Sequence, residues 1–211
     1  MDLDQAMALT SAVTSASLCD AMTRSHAHRC HALGLVPARS GTVTAGFAAT
    51  IRFGPRRDDL PDHDLADAAA RALSEVPDGG VVVIAGPDAP DEAVAGGKKL
   101  AAIEELGAAG VVAWAAIRDR PEAASYEMGV WALHETPRAS GDRLQVLEVG
   151  GVIAFGGVTV TPGDWVHVDE AGLAVLPASE RDVLLHAAVE IEEADAAAVA
   201  EIRRRGREGR A

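Results

Sequence analysis

Asparagine is absent from this 211-residue chain, lysine occurs only at positions 98 and 99, tyrosine occurs once, and aromatics make up 3%. A core so poor in rings has to be built from Ala, Val, Leu and Ile. Hydrophobic residues at 48% are enough for one sizeable domain at this length, so a single domain over 1–211 is expected. The shortage of cations leaves a net charge of −13, which excludes a binder of phosphate backbones, and no nucleic-acid partner is expected. The one dense basic stretch, Arg203, Arg204, Arg205, Arg207 and Arg210, ends a predicted helix, where cations complement the helix dipole. No apolar run reaches the length of a membrane span. The N-terminus has neither the basic region nor the long apolar run of a secretory leader. The expectation is therefore a cytoplasmic protein with no membrane partner, its two cysteines reduced.

The remaining pattern alternates between helix and strand. Residues 8–24 read as a first helix, and 25–37 as an irregular connection. "GTVTAGFAATIRF" is β-branched and alternating, with Gly46 as a bulge or a close approach. "HDLADAAARALSEV" places Leu65, Ala69 and Leu73 on one helical face. "GGVVVIAG" and "VVAWAAI" are short continuous apolar runs typical of strands buried on both sides. Between them Leu100, Ile103 and Leu106 recur at helical spacing, which predicts a parallel α/β unit from about residue 62 to 117. From 144 to 177 short β-type pieces alternate with Gly/Pro turns, and a long final helix begins near Ser179, with Ser179 as its cap and Asp182 in its first turn.

Three groups of residues could carry chemistry. Arg118-Asp119 follows an apolar strand, and ligands of open α/β sheets gather beyond the carboxyl ends of strands. An Arg there can clamp a carboxylate with two hydrogen bonds, and an Asp can hold a hard divalent cation; a plain surface ion pair is the alternative. Gly96-Gly97-Lys98-Lys99 opens the preceding helix. Free amides at a helix start bind anions, and an anionic ligand would offset the cost of two lysines at the positive end of a helix dipole. The alternative is an ordinary turn with solvated lysines, and the spacing is not that of a P-loop. Cys19, His26, His28, Cys30 and His31 crowd one segment, but their spacing fits no standard zinc pattern, and a polar surface loop is the preferred reading.

"GGKKLAAIEELGAAGVVAWAAIRD", together with "TSASLCDAM", "GFAATI", "DGGVVVIAG" and "GGVTVTPGDWVHVDEAGLAVLP" in that order, resembles the RraA-like family over nearly the whole chain. That family includes class II 4-hydroxy-4-methyl-2-oxoglutarate / 4-carboxy-4-hydroxy-2-oxoadipate aldolases and non-catalytic regulators of RNA degradation. The resemblance implies an α/β/α sandwich with a swivelling-domain-like β core, and a homotrimer or hexamer with sites between subunits. It implies Mg²⁺ or Mn²⁺ and cleavage of a small anionic 2-oxo acid, by retro-aldol reaction or by decarboxylation of oxaloacetate. Carried over by position, Arg118 is the catalytic, substrate-binding Arg, Asp119 anchors the metal, and the amides around Gly96, Gly97, Lys98 and Lys99 receive the substrate carboxylate.

One departure stands out. The family's aldolases carry an acid separated from the motif Arg by 20 residues, and counting back from Arg118 lands on Gly97. A metal-dependent lyase is the leading expectation. A non-catalytic regulatory or binding protein, or a family member repurposed in a specialised pathway, is the alternative.

Overall fold

The computed structural model describes residues 1–87, 89–141 and 143–208; Arg210 of the basic stretch lies outside them. In chain order the elements are α1 (Leu3–Thr10), α2 (Ser15–Thr23), β1 (His31–Ala32), β2 (Val36–Pro37), β3 (Thr44–Pro55) and α3 (Leu65–Ser74). Then follow β4 (Gly80–Ala85), β5 (Ala93–Ala95), α4 (Gly97–Glu105), β6 (Gly110–Ile117), α5 (Arg120–Ala123) and β7 (Gly129–Glu135). The last third holds β8 (Leu144–Val149), β9 (Ile153–Phe155), β10 (Val158–Val160), β11 (Trp165–Asp169), β12 (Gly172–Leu176) and α6 (Arg181–Glu208).

The result is a mixed α/β fold around one large sheet. β3, β4, β6 and β7 run parallel in that spatial order, as the apolar runs predict, and β5 pairs parallel to the far end of β6. β11, β12 and β1 extend the sheet in antiparallel fashion beyond β3, and β8 pairs antiparallel with β3. Side-chain alternation along β3 divides the interior. Ala49, Ile51 and Phe53 join the core under α3 and α4, where Leu65, Ala69, Leu100 and Ile103 pack. Ala45 and Phe47 meet the cluster formed by α1, α2 and α6. Ala48 faces the opposite core, closed by Phe155 and Val158 of the β9–β10 hairpin.

Several expectations change in detail. The helix expected over 8–24 is two helices, because Thr14 adopts an extended conformation and forms a reciprocal capping box with Ser17. Thr14 also bonds Glu192 of α6 through its amide (3.1 Å) and hydroxyl (2.7 Å), which fixes the break. Gly46 is a close approach and not a bulge: a Cβ there would lie 2.0 Å from the Gly79 carbonyl oxygen. The irregularity in β3 falls instead at Arg52/Phe53, against β8. The last helix begins at Arg181, and the Glu180 carbonyl accepts its first bond from the Leu184 amide (3.0 Å), so Glu180 takes the place expected for Ser179. Its distal turns are exposed and braced by pairs of Arg204 with Glu201 and Glu208 and of Arg205 with Glu201, in keeping with the structural reading of the basic stretch. Among the described residues, no helix is long and apolar enough to cross a membrane.

Asp169 ties α2 to the sheet. Its carboxylate accepts from the Ser15 amide (2.8 Å), the Ser15 hydroxyl (2.7 Å) and the Ala171 amide (2.9 Å). Burial alone would raise this carboxyl, but the neighbouring His167 and the Ser15 and Ala171 donors hold it well below the usual carboxylate range. A depressed pKa contributes stability that is full above the unfolded value and is lost as pH falls through the folded one. Asp169→Asn is expected to cost about 1–3 kcal/mol in urea unfolding at pH 7. The gap from the parent chain should close progressively as pH drops below about 4.

Candidate functional site

The short parallel pairing of β5 with β6 brings two loops side by side. The Arg118 amide donates to the Ala95 carbonyl (3.0 Å), so the chain leaving β6 lies against the Gly96-Gly97 turn that starts α4. Contact is close enough to require glycine at 96, where a Cβ would sit 2.6 Å from Arg118 Nε and 2.9 Å from Asp119 Oδ2. Asp119 is the one non-glycine residue with positive φ among those described (φ 62°, ψ 41°). Asp tolerates this left-handed conformation better than most side chains, and here it turns the chain into α5. Its Oδ2 accepts from the Gly97 amide (3.0 Å) and lies 3.4 Å from Arg118 Nε.

These bonds revise the expected anion loop. Of its helix-start amides, Gly97 is taken by Asp119, and those of Lys99 and Leu100 turn back to the Gly96 carbonyl (2.9 and 3.0 Å). The lysines also divide. Lys99 pairs with Asp64, the cap of α3, and this bond holds the Asp64 carboxyl below its ordinary value. Lys98 is exposed. The positive start of α4 and Lys99 are thus each met by a carboxylate from a neighbouring element.

Glu122, which the sequence does not single out, fills the space over Gly97. A Cβ on Gly97 would fall 2.1 Å from Glu122 Oε2. The place where a side chain at 97 would project therefore already holds a carboxylate, delivered from α5. Tyr126, four residues on, holds it: the phenol oxygen lies 3.0 Å from both Glu122 Oε1 and the Gly97 carbonyl. Burial, and next the Glu122 carboxylate, push the Tyr126 phenol up to about 12. The local signal for this pair is an acid in the first turn after Asp119, with an aromatic at i+4.

Arg118 and Lys99 line an open cleft of about 420 Å³ together with Asp62, His63, Asp64 and Gln145. The Arg118 side chain is 42% exposed and so is available to a ligand. Gln145 is buried, and its Nε2 has no hydrogen-bond partner, an orphan donor of the kind that a bound acceptor satisfies. Asp62 is engaged by Arg56 (2.8 Å). His134 lies on β7 and lines other depressions.

Asp119 and Glu122 flank the Gly96-Gly97 turn as an all-oxygen donor set. That chemistry fits a hard cation of the Mg²⁺ or Mn²⁺ class, which takes one or two carboxylates and keeps several waters. Cys19, His26, His28, Cys30 and His31 do not form one polar loop. Cys30 is buried, Cys19 half-buried, and their sulfurs are 3.8 Å apart, while His26 turns to Glu180 (3.0 Å).

A sequence profile of the RraA-like family, described as Aldolase/RraA, matches residues 15–175. A protein of Alkalilimnicola ehrlichii named "Putative 4-hydroxy-4-methyl-2-oxoglutarate aldolase" is 35% identical over 129 residues, 61% of this chain and 80% of the relative. The 4-hydroxy-4-methyl-2-oxoglutarate aldolase of Thermus thermophilus is 32% identical over 135 residues, 64% of this chain and 82% of its own. Among solved structures, Streptomyces coelicolor RraAS2, described as an unusual member of the RNase ES inhibitor RraA protein family, aligns with a TM-score of 0.82 at 26% identity. That alignment covers 95% of this chain and 98% of RraAS2.

Tyr126 is the chain's one tyrosine, so its ionisation can be followed by ultraviolet absorbance without ambiguity. Phenolate is expected to appear only near pH 12. In Glu122→Gln the midpoint should fall, because the neutral amide no longer opposes a phenolate. An unchanged midpoint would place Glu122 away from Tyr126 in solution.

Proposed function

Because this chain belongs to the RraA-like family, we propose that it is a lyase that breaks the C3–C4 bond of a small anionic 2-oxo acid. The substrates are a 4-hydroxy-2-oxo diacid, cleaved by retro-aldol reaction, and oxaloacetate, which loses CO₂. Both reactions release pyruvate through its enolate. The aldolase names of the relatives support this class. The observation that carries the reading is the convergence of Arg118 with the carboxylates of Asp119 and Glu122 around the diglycine turn, at the carboxyl ends of two parallel strands.

Each residue has a task the chemistry requires. The Arg118 guanidinium binds the substrate's carboxylate and 2-keto oxygen and stabilises negative charge as it grows on that oxygen. Asp119 would hold the divalent cation, with Glu122 standing beside it as the base. When bound, that cation supplies Lewis-acid stabilisation of the enolate oxygen. In retro-aldol cleavage the Glu122 carboxylate accepts the proton of the C4 hydroxyl, directly or through one water, as the C3–C4 electron pair moves into the enolate. Glu122 thereby takes the part that the family's aldolases give to an acid at the position of Gly97. Reprotonation at C3 completes pyruvate. Lys99 and the Gln145 Nε2 donor receive the far carboxylate of a diacid. The open side of the cleft is where a neighbouring subunit of a homotrimer or hexamer would close the site; sedimentation of the purified chain as a monomer would remove that part of the reading.

Pyruvate release coupled to lactate dehydrogenase tests the assignment, with oxaloacetate and 4-hydroxy-4-methyl-2-oxoglutarate as substrates and with Mg²⁺, Mn²⁺ or EDTA. Arg118→Ala should lower both activities by about 10²-fold or more. Glu122→Gln should lower retro-aldol cleavage by about 10²-fold or more and decarboxylation far less, since oxaloacetate has no alcohol proton to lose. Moving the carboxylate back, in Gly97→Asp combined with Glu122→Ala, should recover cleavage. Absence of turnover on both substrates with either metal, in folded protein, rejects the lyase reading.

A second reading rests on coverage. RraAS2, described as an unusual member of the RNase ES inhibitor RraA protein family, aligns over 95% of this chain at 26% identity. If the chain is a regulator of an RNase E-type ribonuclease, it should slow RNA cleavage by that enzyme, and Arg118→Ala should leave the inhibition intact.

A further inference from the structure

Away from the cleft, Cys19, Cys30 and His31 converge. One ligand atom from each lies within 4.8 Å of the others. Cys19 belongs to α2, while Cys30 and His31 stand where β1 begins, so the three are brought together by tertiary structure. Every part of the frame is fastened. α2 carries its own capping box. The Cys30 carbonyl accepts from the Val175 amide (2.8 Å), and His31 is paired with Ala174 across the β1–β12 ladder. The Arg29 Nε–H donates to the His31 carbonyl (2.8 Å).

The spacing of the sulfurs is informative. Two thiolates each about 2.3 Å from one tetrahedral ion sit about 3.8 Å apart. Here they are 3.8 Å apart, with Cys30 5% exposed. At that distance the two thiols also lie within reach of an S–H···S contact, which brings them together before any ion arrives. Two thiolates and an imidazole form a soft set, which favours Zn²⁺ over Mg²⁺ or Mn²⁺.

We propose that Cys19, Cys30 and His31 bind one Zn²⁺ ion per chain, with a fourth position held by water or a small ligand. Binding releases the two thiol protons to solvent and moves no electrons. The ion pins the middle of α2 to the start of the edge strand β1. The chain then carries two cation sites of opposite character, a soft one here and the hard-oxygen one proposed beside the Gly96-Gly97 turn. The zinc site is independent of the lyase reading, because its test measures binding and not turnover.

The test uses full-length protein stripped with EDTA, reduced, and titrated with Co²⁺. An intense near-ultraviolet thiolate-to-cobalt band is expected, saturating at one ion per chain, bleached by Zn²⁺ and unaffected by Mg²⁺. Cys19→Ser and Cys30→Ser should each lose the two-thiolate band. His31→Gln should weaken binding by at least about tenfold, with far-UV circular dichroism unchanged. Zn²⁺ should raise the melting temperature of the parent chain and leave that of a folded Cys19→Ala/Cys30→Ala variant where it was. The proposal fails if protein with both thiols shown free by thiol titration gives no band. It fails equally if the band survives in either serine variant.

Discussion

The hydrogen bond from the Gly97 amide to Asp119 Oδ2 joins two loops that the chain separates by a helix and a strand. It needs Asp119 in a left-handed conformation and glycine at 96, since a side chain there would run into Arg118. It also answers the question raised by two lysines at the start of a helix. A carboxylate on the first amide and a second on the Lys99 ammonium offset the unfavourable charge at the helix start, while Lys98 stays exposed. The cost of holding a non-glycine residue at positive φ is of order 1 kcal/mol or more. It is met by the Gly97 bond and by the α5 amides of Glu122 and Ala123, which donate to the Asp119 carbonyl at 3.0 Å.

That arrangement matters because of the charge on the rest of the molecule. A chain with a net charge of −13 repels small dianions over most of its surface. Attraction has to be local, and Arg118 and Lys99 meet on one cleft beside an unsatisfied Gln145 donor. The acidic exterior and the cleft are therefore consistent: the half-exposed Arg118 guanidinium concentrates anion recognition at the end of β6.

The parallel unit was legible because buried strands such as 111–117 and 80–85 leave continuous apolar runs, and because Leu100 and Ile103 repeat at helical spacing. Arg118-Asp119 was legible as a polar pair where such a run stops. Other features leave no local trace. β5 is three residues, too short for any periodicity, yet it sets the two loops side by side. The break at Thr14 depends on Glu192 from the far end of the chain. The Cys–Cys–His cluster joins a helix to a strand edge, so its spacing along the chain matches no ligand pattern. Glu122 reads as one more acid in an acid-rich chain until folding sets it over Gly97.

That last feature separates position along the chain from position in space. A carboxylate can reach one and the same point from an adjoining turn, so long as the position beneath it is glycine and admits it. Counted along the polypeptide, the acid is missing at 97; located as a point in space, it is present. Here glycine at 97, an acid three residues after the Arg-Asp pair and an aromatic four beyond that together put a carboxylate from α5 where a side chain at 97 would project.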